Sequence, residues 1–195
     1  AVPGVPTKSG LMVGLGESIP RTLKVLARRI NEALTGTLPR LTRKRRWEVA
    51  IDWHLVPYYG EPHKSANELY YGKPRQGTKQ FHAYATACIV SRGERYTLAL
   101  SWVRRHESMV TALRRLLGRI DEIGLKIRCL LVDRAFFNVP VVELLQEQNI
   151  PFLMPVMFRG RRAKKGRKAK GLHWIKQQKA GWYTHTMKNG KREVT

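Results

Sequence analysis

Two stretches decide the fold of this chain: Leu130-Leu131-Val132-Asp133-Arg134-Ala135-Phe136-Phe137 and Val49-Ala50-Ile51-Asp52. Each contains an apolar run of strand character that finishes on an aspartate. Burying such a strand is unfavourable unless a cation or a metal ion compensates the terminal carboxylate. In a chain with a formal net charge of +23, two such strands predict a divalent-metal site that faces a polyanion.

The charge balance indicates a nucleic-acid-binding protein. The 195 residues include 37 Lys and Arg against 14 Asp and Glu. Neutralising phosphates releases counterions, so this excess of cations favours DNA or RNA as the partner. A basic protein of the membrane surface is the competing interpretation, but the sequence has no long basic amphipathic helix with an aromatic face. No apolar stretch approaches the roughly 20 residues of a membrane span.

The cysteines and the chain ends bear on compartment and completeness. Cys88 and Cys129 both lie in apolar runs, which predicts buried free thiols in a reducing compartment. The sequence starts at Ala1 and stops at Thr195 within a strand-like segment, so we expect a fragment of a longer protein.

Hydrophobic periodicity predicts an α/β protein with the order strand, strand, strand, helix, strand, helix, strand, after an N-terminal helix. The predicted elements are a helix from Ile19 to Gly36, strands Trp47–Val56, Phe81–Val90 and Tyr96–Val103, a helix Met109–Ile123, a strand Ile127–Asp133, a helix Val139–Gln148 and a strand Pro151–Phe158. The segment from Pro57 to Lys79 is interpreted as a polar loop.

This order predicts a mixed sheet with helices on its faces, since an antiparallel meander is followed by crossover units. The nearly all-apolar fourth strand is typical of a central strand covered on both faces. A right-handed crossover can place this strand beside the first. Asp52 and Asp133, far apart in sequence, would then lie on neighbouring strands.

Composition divides the chain into an N-terminal helical and basic segment (1–46), a core (47–158) and a basic loop with a β-hairpin (159–195), which is interpreted as the truncated start of a β insertion. Residues 159–170 carry eight basic side chains in twelve and no acidic one. Such a segment is too basic and glycine-punctuated to pack, which predicts that it is mobile or bound to phosphate. Asn189-Gly190 is the preferred pair for a two-residue hairpin turn and predicts a hairpin from Trp182 to Thr195.

Asp52 and Asp133 are the candidate catalytic residues and metal ligands. Phosphodiester cleavage by two metal ions needs carboxylates that converge from different elements and hold the ions roughly 3.5–4 Å apart. Magnesium suits such a site because it takes oxygen ligands and keeps several waters. The alternative is that each aspartate ends a strand and pairs with an arginine, such as Arg134.

Several cations are candidate DNA contacts. His54 shares a strand face with Asp52 and either reaches a scissile phosphate or is a structural histidine. Arg134 either contacts DNA or balances the carboxylates. Two further groups are predicted to contact the DNA backbone, with a solvated surface as the alternative: Arg43, Lys44, Arg45 and Arg46, and Arg159, Arg161, Arg162, Lys164, Lys165, Arg167, Lys168 and Lys170.

The two aspartate motifs, with Tyr96-Thr97-Leu98-Ala99 between them, resemble DDE transposases of bacterial and archaeal insertion sequences from Trp47 to Thr195. The resemblance implies a ribonuclease H-like fold, with Asp52 and Asp133 binding Mg²⁺ or Mn²⁺. It implies an enzyme that cuts transposon ends by hydrolysis and joins the 3′-hydroxyl to target DNA. A homodimer acting on DNA in the cytoplasm, associated with the nucleoid of a bacterium or archaeon, is expected.

The family also requires a third carboxylate, usually a glutamate on a helix after the fifth strand. Glu143 and Glu147 precede that strand and are interpreted as a solvated helix face, whereas Glu193 lies in the predicted hairpin. None fits, so we expect this glutamate beyond Thr195. The alternatives are a ribonuclease H-like nuclease or resolvase, and a transposase remnant that binds DNA without cutting it.

Overall fold

The computed structural model describes residues 22–39, 44–61, 68–91 and 93–195. Its elements in chain order are α1 (Leu23–Gly36), β1 (Arg46–Pro57), β2 (Tyr70–Arg75), β3 (Thr78–Ser91), β4 (Glu94–Val103), α2 (Met109–Ile123), β5 (Lys126–Val132), α3 (Val139–Glu147), β6 (Phe152–Leu153), α4 (Leu172–Ile175), β7 (Met187–Asn189) and β8 (Arg192–Val194). The predicted start of the first helix at Ile19 and the basic residue Arg43 lie outside the described residues.

The main sheet is mixed, as predicted. Its order is β2-β3-β1-β5-β6, and β4 also pairs with β3. β1 and β4 are antiparallel to β3, whereas β1–β5 and β5–β6 are parallel. The predicted placement of the fourth strand beside the first is therefore confirmed, as β5 beside β1.

Helices α2 and α3 cover one face of this sheet. On that face β3 presents small residues, Ala83, Ala85 and Ala87, each at most 1% exposed. They allow the apolar stripe of α2, including Leu113 and Leu116, to join the same core. Ser108 caps the start of α2 and Gly124, at φ 76°, ends it.

The opposite face is more open than predicted. Alternate residues of β3, such as Tyr84 and Thr86, are half-buried, and so are Cys129 and Leu131 on β5. The expectation that the fourth strand is covered on both faces is therefore wrong for the described part of the chain. The apolar run of β5 reflects its central position in the sheet, and Leu131 faces a concave surface.

Two strand predictions need correction. The segment interpreted as a polar loop contains β2, which pairs Tyr70 with Phe81 of β3. The strand predicted over Pro151–Phe158 is only Phe152–Leu153, which pairs with Leu130 and Leu131. Pro155 has no N–H to donate, so it cannot extend the β5–β6 ladder.

Helix α1 protects the free edge of β4 through one side chain. Asn31 Nδ2 donates to the Leu100 carbonyl over 2.9 Å, and the Leu100 N–H donates to Asn31 Oδ1 over 2.9 Å. The amide thus supplies the donor and acceptor that a neighbouring strand would provide, which protects an otherwise unpaired strand edge.

We expect Asn31→Ala to destabilise the protein by about 1–3 kcal/mol, because it leaves a half-buried N–H and C=O of β4 without partners. Urea unfolding followed by circular dichroism measures the change. The matched control is Glu32→Ala, which alters the next position of α1, where the side chain is 59% exposed and faces Arg28 over 3.7 Å. Equal stability losses in the two variants would contradict the role assigned to Asn31.

Candidate metal centre and DNA interface

Asp52 and Asp133 lie side by side at the same end of two parallel strands. The β1–β5 register pairs Ile51 with Val132, and each aspartate is the next residue. Adjacent strands in a sheet are about 4.8 Å apart, so the two carboxylates project from neighbouring backbone positions. Two like charges this close raise each other's free energy unless a cation lies between or beside them.

The Asp52 carboxylate is oriented by its own strand. The Trp53 N–H donates to Oδ1 over 2.8 Å. His54 Nε2 lies 3.4 Å from Oδ2 and 3.2 Å from the Thr86 hydroxyl. The His54 side chain is 51% exposed and that of Asp52 61%, so both remain open to an incoming ligand.

Burial raises the pKa of Tyr84, which pairs with His54 across the β1–β3 ladder. Its phenol therefore remains protonated at physiological pH and offers an uncharged O–H on the open face of the sheet.

The Asp133 carboxylate is fixed by a short 3₁₀ turn that sequence reasoning did not predict. Residues Arg134–Phe136 form this turn, and Asp133 caps it by accepting the Arg134 N–H. Phe136 is 1% exposed and packs edge-on against Trp53, with ring centroids 6.3 Å apart. Because Trp53 directly follows Asp52, one aromatic pair anchors the backbone on both sides of the site.

The two aspartates open into a shared cavity of about 560 Å³. Its walls include Ala50, Leu131 and Leu153 of the open sheet face, and also Arg95. Sequence reasoning missed Arg95, since a charged residue beside a hairpin turn is normally a solvated one. It adds a positive charge to the wall of the cavity into which the two carboxylates open.

The donor set fits a divalent metal ion that prefers oxygen. Each carboxylate accepts a backbone N–H at Oδ1, which holds the group, and Oδ2 of Asp52 faces His54. No group of three or more His, Cys, Asp or Glu able to hold a metal occurs among the residues that the structure describes. Two carboxylates and several waters would be an ordinary ligand set for magnesium.

The other glutamates considered as ligands are engaged elsewhere. Glu143 faces Arg192 over 3.5 Å, so the interpretation of this residue as part of a solvated face is incomplete. Glu193 pairs with Lys188 over 2.6 Å within the β7–β8 hairpin. The hairpin also buries Val194 against α3, where Val139 and Val142 lie.

The β7–β8 hairpin differs from its prediction in extent and turn. Its first strand begins at Met187, whereas Trp182 is fully exposed. Asn189 pairs with Arg192, so the turn residues are Gly190 and Lys191 and not Asn189-Gly190. Gly190 has φ 62°, and a glycine in the first turn position is typical of a type II′ turn.

Residues 159–170 form a compact element that we call the basic hairpin. Lys164 and Arg167 exchange backbone hydrogen bonds of 3.1 and 2.8 Å, and the Lys170 N–H donates to the Arg161 carbonyl over 3.0 Å. Ala169 is buried. The expectation that this segment cannot pack is therefore wrong for its backbone. The predicted DNA-contacting side chains all remain exposed: Arg159, Arg161, Arg162, Lys164, Lys165, Arg167, Lys168 and Lys170.

The remaining predicted cations are not brought together. Arg46 begins β1, six residues before Asp52, which places it about 20 Å along the strand from the candidate site. Arg45 stacks on the Trp47 ring with its guanidinium 3.6 Å from the centroid, and Lys44 is exposed. Arg134 is exposed beside Asp133. Of these cations, Arg134 alone adjoins the site among the described residues.

Comparison with known proteins decides the family. Residues 43–192 match the transposase DDE domain. The chain belongs to this family. The match spans both aspartate motifs, the whole basic hairpin and the β7–β8 hairpin as far as Arg192. The mixed α/β architecture is compatible with a ribonuclease H-like transposase domain. No curated protein matches the chain.

Membership of the transposase DDE domain family gives the site its general chemistry. Domains of this family use divalent metal ions, and transposases act on DNA. Among the described helices, none is long and apolar enough to cross a membrane.

Proposed function

We propose that this transposase domain cleaves the ends of a mobile DNA element and joins them to target DNA, with Asp52 and Asp133 as catalytic metal ligands. The observation that supports the proposal best is the position of the two aspartates at the same end of β1 and β5. Two carboxylates so close together repel each other, and their oxygens are ligands that Mg²⁺ or Mn²⁺ accepts.

The residues of the site have distinct roles in this proposal. Asp52 and Asp133 hold the metal ions, which when bound activate the attacking oxygen and stabilise the leaving one. His54 keeps the Asp52 carboxylate oriented through its Nε2 contact of 3.4 Å. Arg95, on the cavity wall, attracts the scissile phosphate and opposes its repulsion by the carboxylates.

DNA is held by contacts that carry no sequence information. The basic hairpin presents its cations on an ordered backbone, and Arg134 adds a charge next to Asp133. Such groups fix the position of a duplex through its phosphates, while sequence is read elsewhere. We further propose that the protein acts as a homodimer on the DNA of a bacterial or archaeal cell, in the cytoplasm and associated with the nucleoid.

A strand-transfer assay tests the reaction. The full-length protein, with the third carboxylate that the family requires, is incubated with labelled linear DNA carrying the element's end, a supercoiled target plasmid and Mg²⁺ or Mn²⁺. We expect a covalently joined product whose formation stops with EDTA. Cut DNA without a joined product would favour a ribonuclease H-like nuclease, and salt-sensitive binding without either product would favour a non-catalytic DNA-binding protein.

A further inference from the structure

A second basic surface lies at the edge of the sheet opposite the basic hairpin. Helices α1 and α2 flank a groove of about 550 Å³ whose floor is formed by β4 from Ala99 to Trp102. Its wall carries five cations and one acidic residue: Lys24, Arg28, Arg104, Arg115, Arg119 and Glu122. We call this surface the α1–α2 groove.

The cations of the groove form two groups. Arg115 and Arg119 are held in place: the first contacts Glu107, Ser101 and the Trp102 carbonyl, and the second contacts Glu122 over 2.7 Å and Thr35 over 3.3 Å. The rim residues Lys24, Arg28 and Arg104 are exposed. Arg28 reaches Glu32 only at 3.7 Å with a 69% exposed side chain, so its charge stays available to a ligand.

Arg119 also carries a buried donor without a partner. Its Nε has no hydrogen-bond partner among the described residues, although the same side chain bonds Glu122 and Thr35 through its terminal nitrogens. An unmade hydrogen bond at a buried cation costs free energy. This nitrogen is buried, so a ligand in the groove would meet the exposed rim cations first.

Gly118 lines the groove without a side chain of its own. It lies within α2, where glycine is about 1 kcal/mol less favourable than alanine. A Cβ built at Gly118 meets nothing within 4 Å, so no internal packing requires the glycine. The surface of α2 is therefore flat where the groove is lined by Leu116 and the two arginines.

We propose that the α1–α2 groove is a second binding site for the phosphate backbone of duplex DNA, separate from the basic hairpin. Lys24 and Arg28 are four residues apart on α1, about 6 Å along the helix axis, and so form a short cationic row. Arg104, Arg115 and Arg119 also line the groove, and the last two are ion-paired with Glu107 and Glu122. An extended cationic surface suits closely spaced phosphates better than a compact anion.

The position of the groove indicates which DNA it holds. Its floor residue Leu100 pairs with Thr86, which pairs with Asp52, so two strand spacings, about 10 Å, separate the groove from the strand of the candidate metal centre. The basic hairpin follows β6 at the other edge of the sheet. Resting on the proposed function, we assign the groove to the duplex that reaches the candidate metal centre, because the two lie this close on one sheet.

The test is DNA binding without metal, which does not depend on catalysis. Fluorescence anisotropy with a 30-base-pair duplex of unrelated sequence in EDTA measures affinity against salt for the full chain. We expect Lys24→Gln/Arg28→Gln/Arg104→Gln to weaken binding at least about tenfold and to lower the salt slope by about 2–3. The matched control, Lys73→Gln/Arg114→Gln/Lys126→Gln, removes the same charge from exposed positions outside the groove and should lose far less.

A second pair of variants separates binding from folding. Gly118→Ala should keep DNA affinity, whereas Gly118→Glu should weaken binding several-fold without lowering the melting temperature, since a Cβ at this exposed position meets open space. The proposal is overturned if the groove and control triples bind alike, or if poly-glutamate competes as well as DNA at equal charge concentration. Strand transfer decides the proposed function separately, because these binding measurements contain no metal ion.

Discussion

In the full-length protein, with its third carboxylate, Asp52→Asn and Asp133→Asn should each reduce metal-dependent DNA cleavage by at least about a thousandfold. The change removes one negative ligand while keeping size and hydrogen-bonding shape. Loss of a single group that stabilises charge in a transition state costs roughly a hundredfold to a thousandfold, and loss of a metal ligand adds the weakened metal binding to this. The affinity for DNA should be unchanged or slightly stronger, because a negative charge near the DNA backbone is removed.

Metal binding gives a readout that does not require turnover. In the original chain, Mn²⁺ should broaden the backbone amide signals of Trp53 and Arg134 first, since these amides donate to the two carboxylates. Either asparagine variant should require at least about tenfold more Mn²⁺ for the same broadening, as loss of one of two carboxylate ligands implies.

Asp121→Asn is the matched control for both measurements. Asp121 lies near the end of α2, away from the cavity, and its side chain is exposed. Cleavage and Mn²⁺ broadening should match those of the unaltered protein. Full cleavage activity in the Asp52 or Asp133 variant would refute the metal-site assignment, whatever the effect on DNA affinity.

The central part of the fold was predictable because its signals are local. The apolar run before Asp133 ends a central strand, and α2 occupies its predicted range, Met109–Ile123. A right-handed crossover only allowed Asp52 and Asp133 to be neighbours, and the pairing of β1 with β5 establishes that they are. Hydrophobic periodicity was thus sufficient for the elements but not for their pairing.

The features missed by sequence reasoning depend on long-range contacts. Strand β2 contains Gly72 and Pro74, which argue against a strand, yet pairing with β3 overrides their low propensity. The cavity position of Arg95 depends on the distance across three strands, and no local pattern encodes it. The α1–α2 groove likewise joins segments that are remote in sequence.

The basic hairpin shows the limit of composition. Its charge predicts a phosphate contact but not its shape. Gly160, at φ 106°, allows a close approach: a Cβ there would lie 2.5 Å from the Lys170 carbonyl oxygen. The glycines that suggested an unpacked segment instead allow the two arms of the hairpin to approach each other closely. Composition predicts the partner, and backbone geometry determines how the charges are presented.

Removing four charges from the basic hairpin should weaken DNA binding on the order of a hundredfold and lower the salt slope by about 3–4, because each neutralised phosphate contributes about 0.9 to that slope. The variant is Arg162→Gln/Lys164→Gln/Lys165→Gln/Arg167→Gln. Arg161 is kept, since its guanidinium donates to the Lys168 carbonyl at 3.3 Å and supports the hairpin. Anisotropy titration of a duplex between 50 and 200 mM salt measures both quantities.

Gly160→Ala separates the shape of the hairpin from its charge. It keeps every cation but forces Lys170 away from residue 160, so affinity should fall several-fold while the salt slope stays nearly constant.

Combined with the α1–α2 groove variant, the four-charge variant should give additive losses in binding free energy, because the surfaces are too far apart to share a phosphate. A four-charge variant that binds like the wild-type chain would show that the hairpin's cations are only solvated.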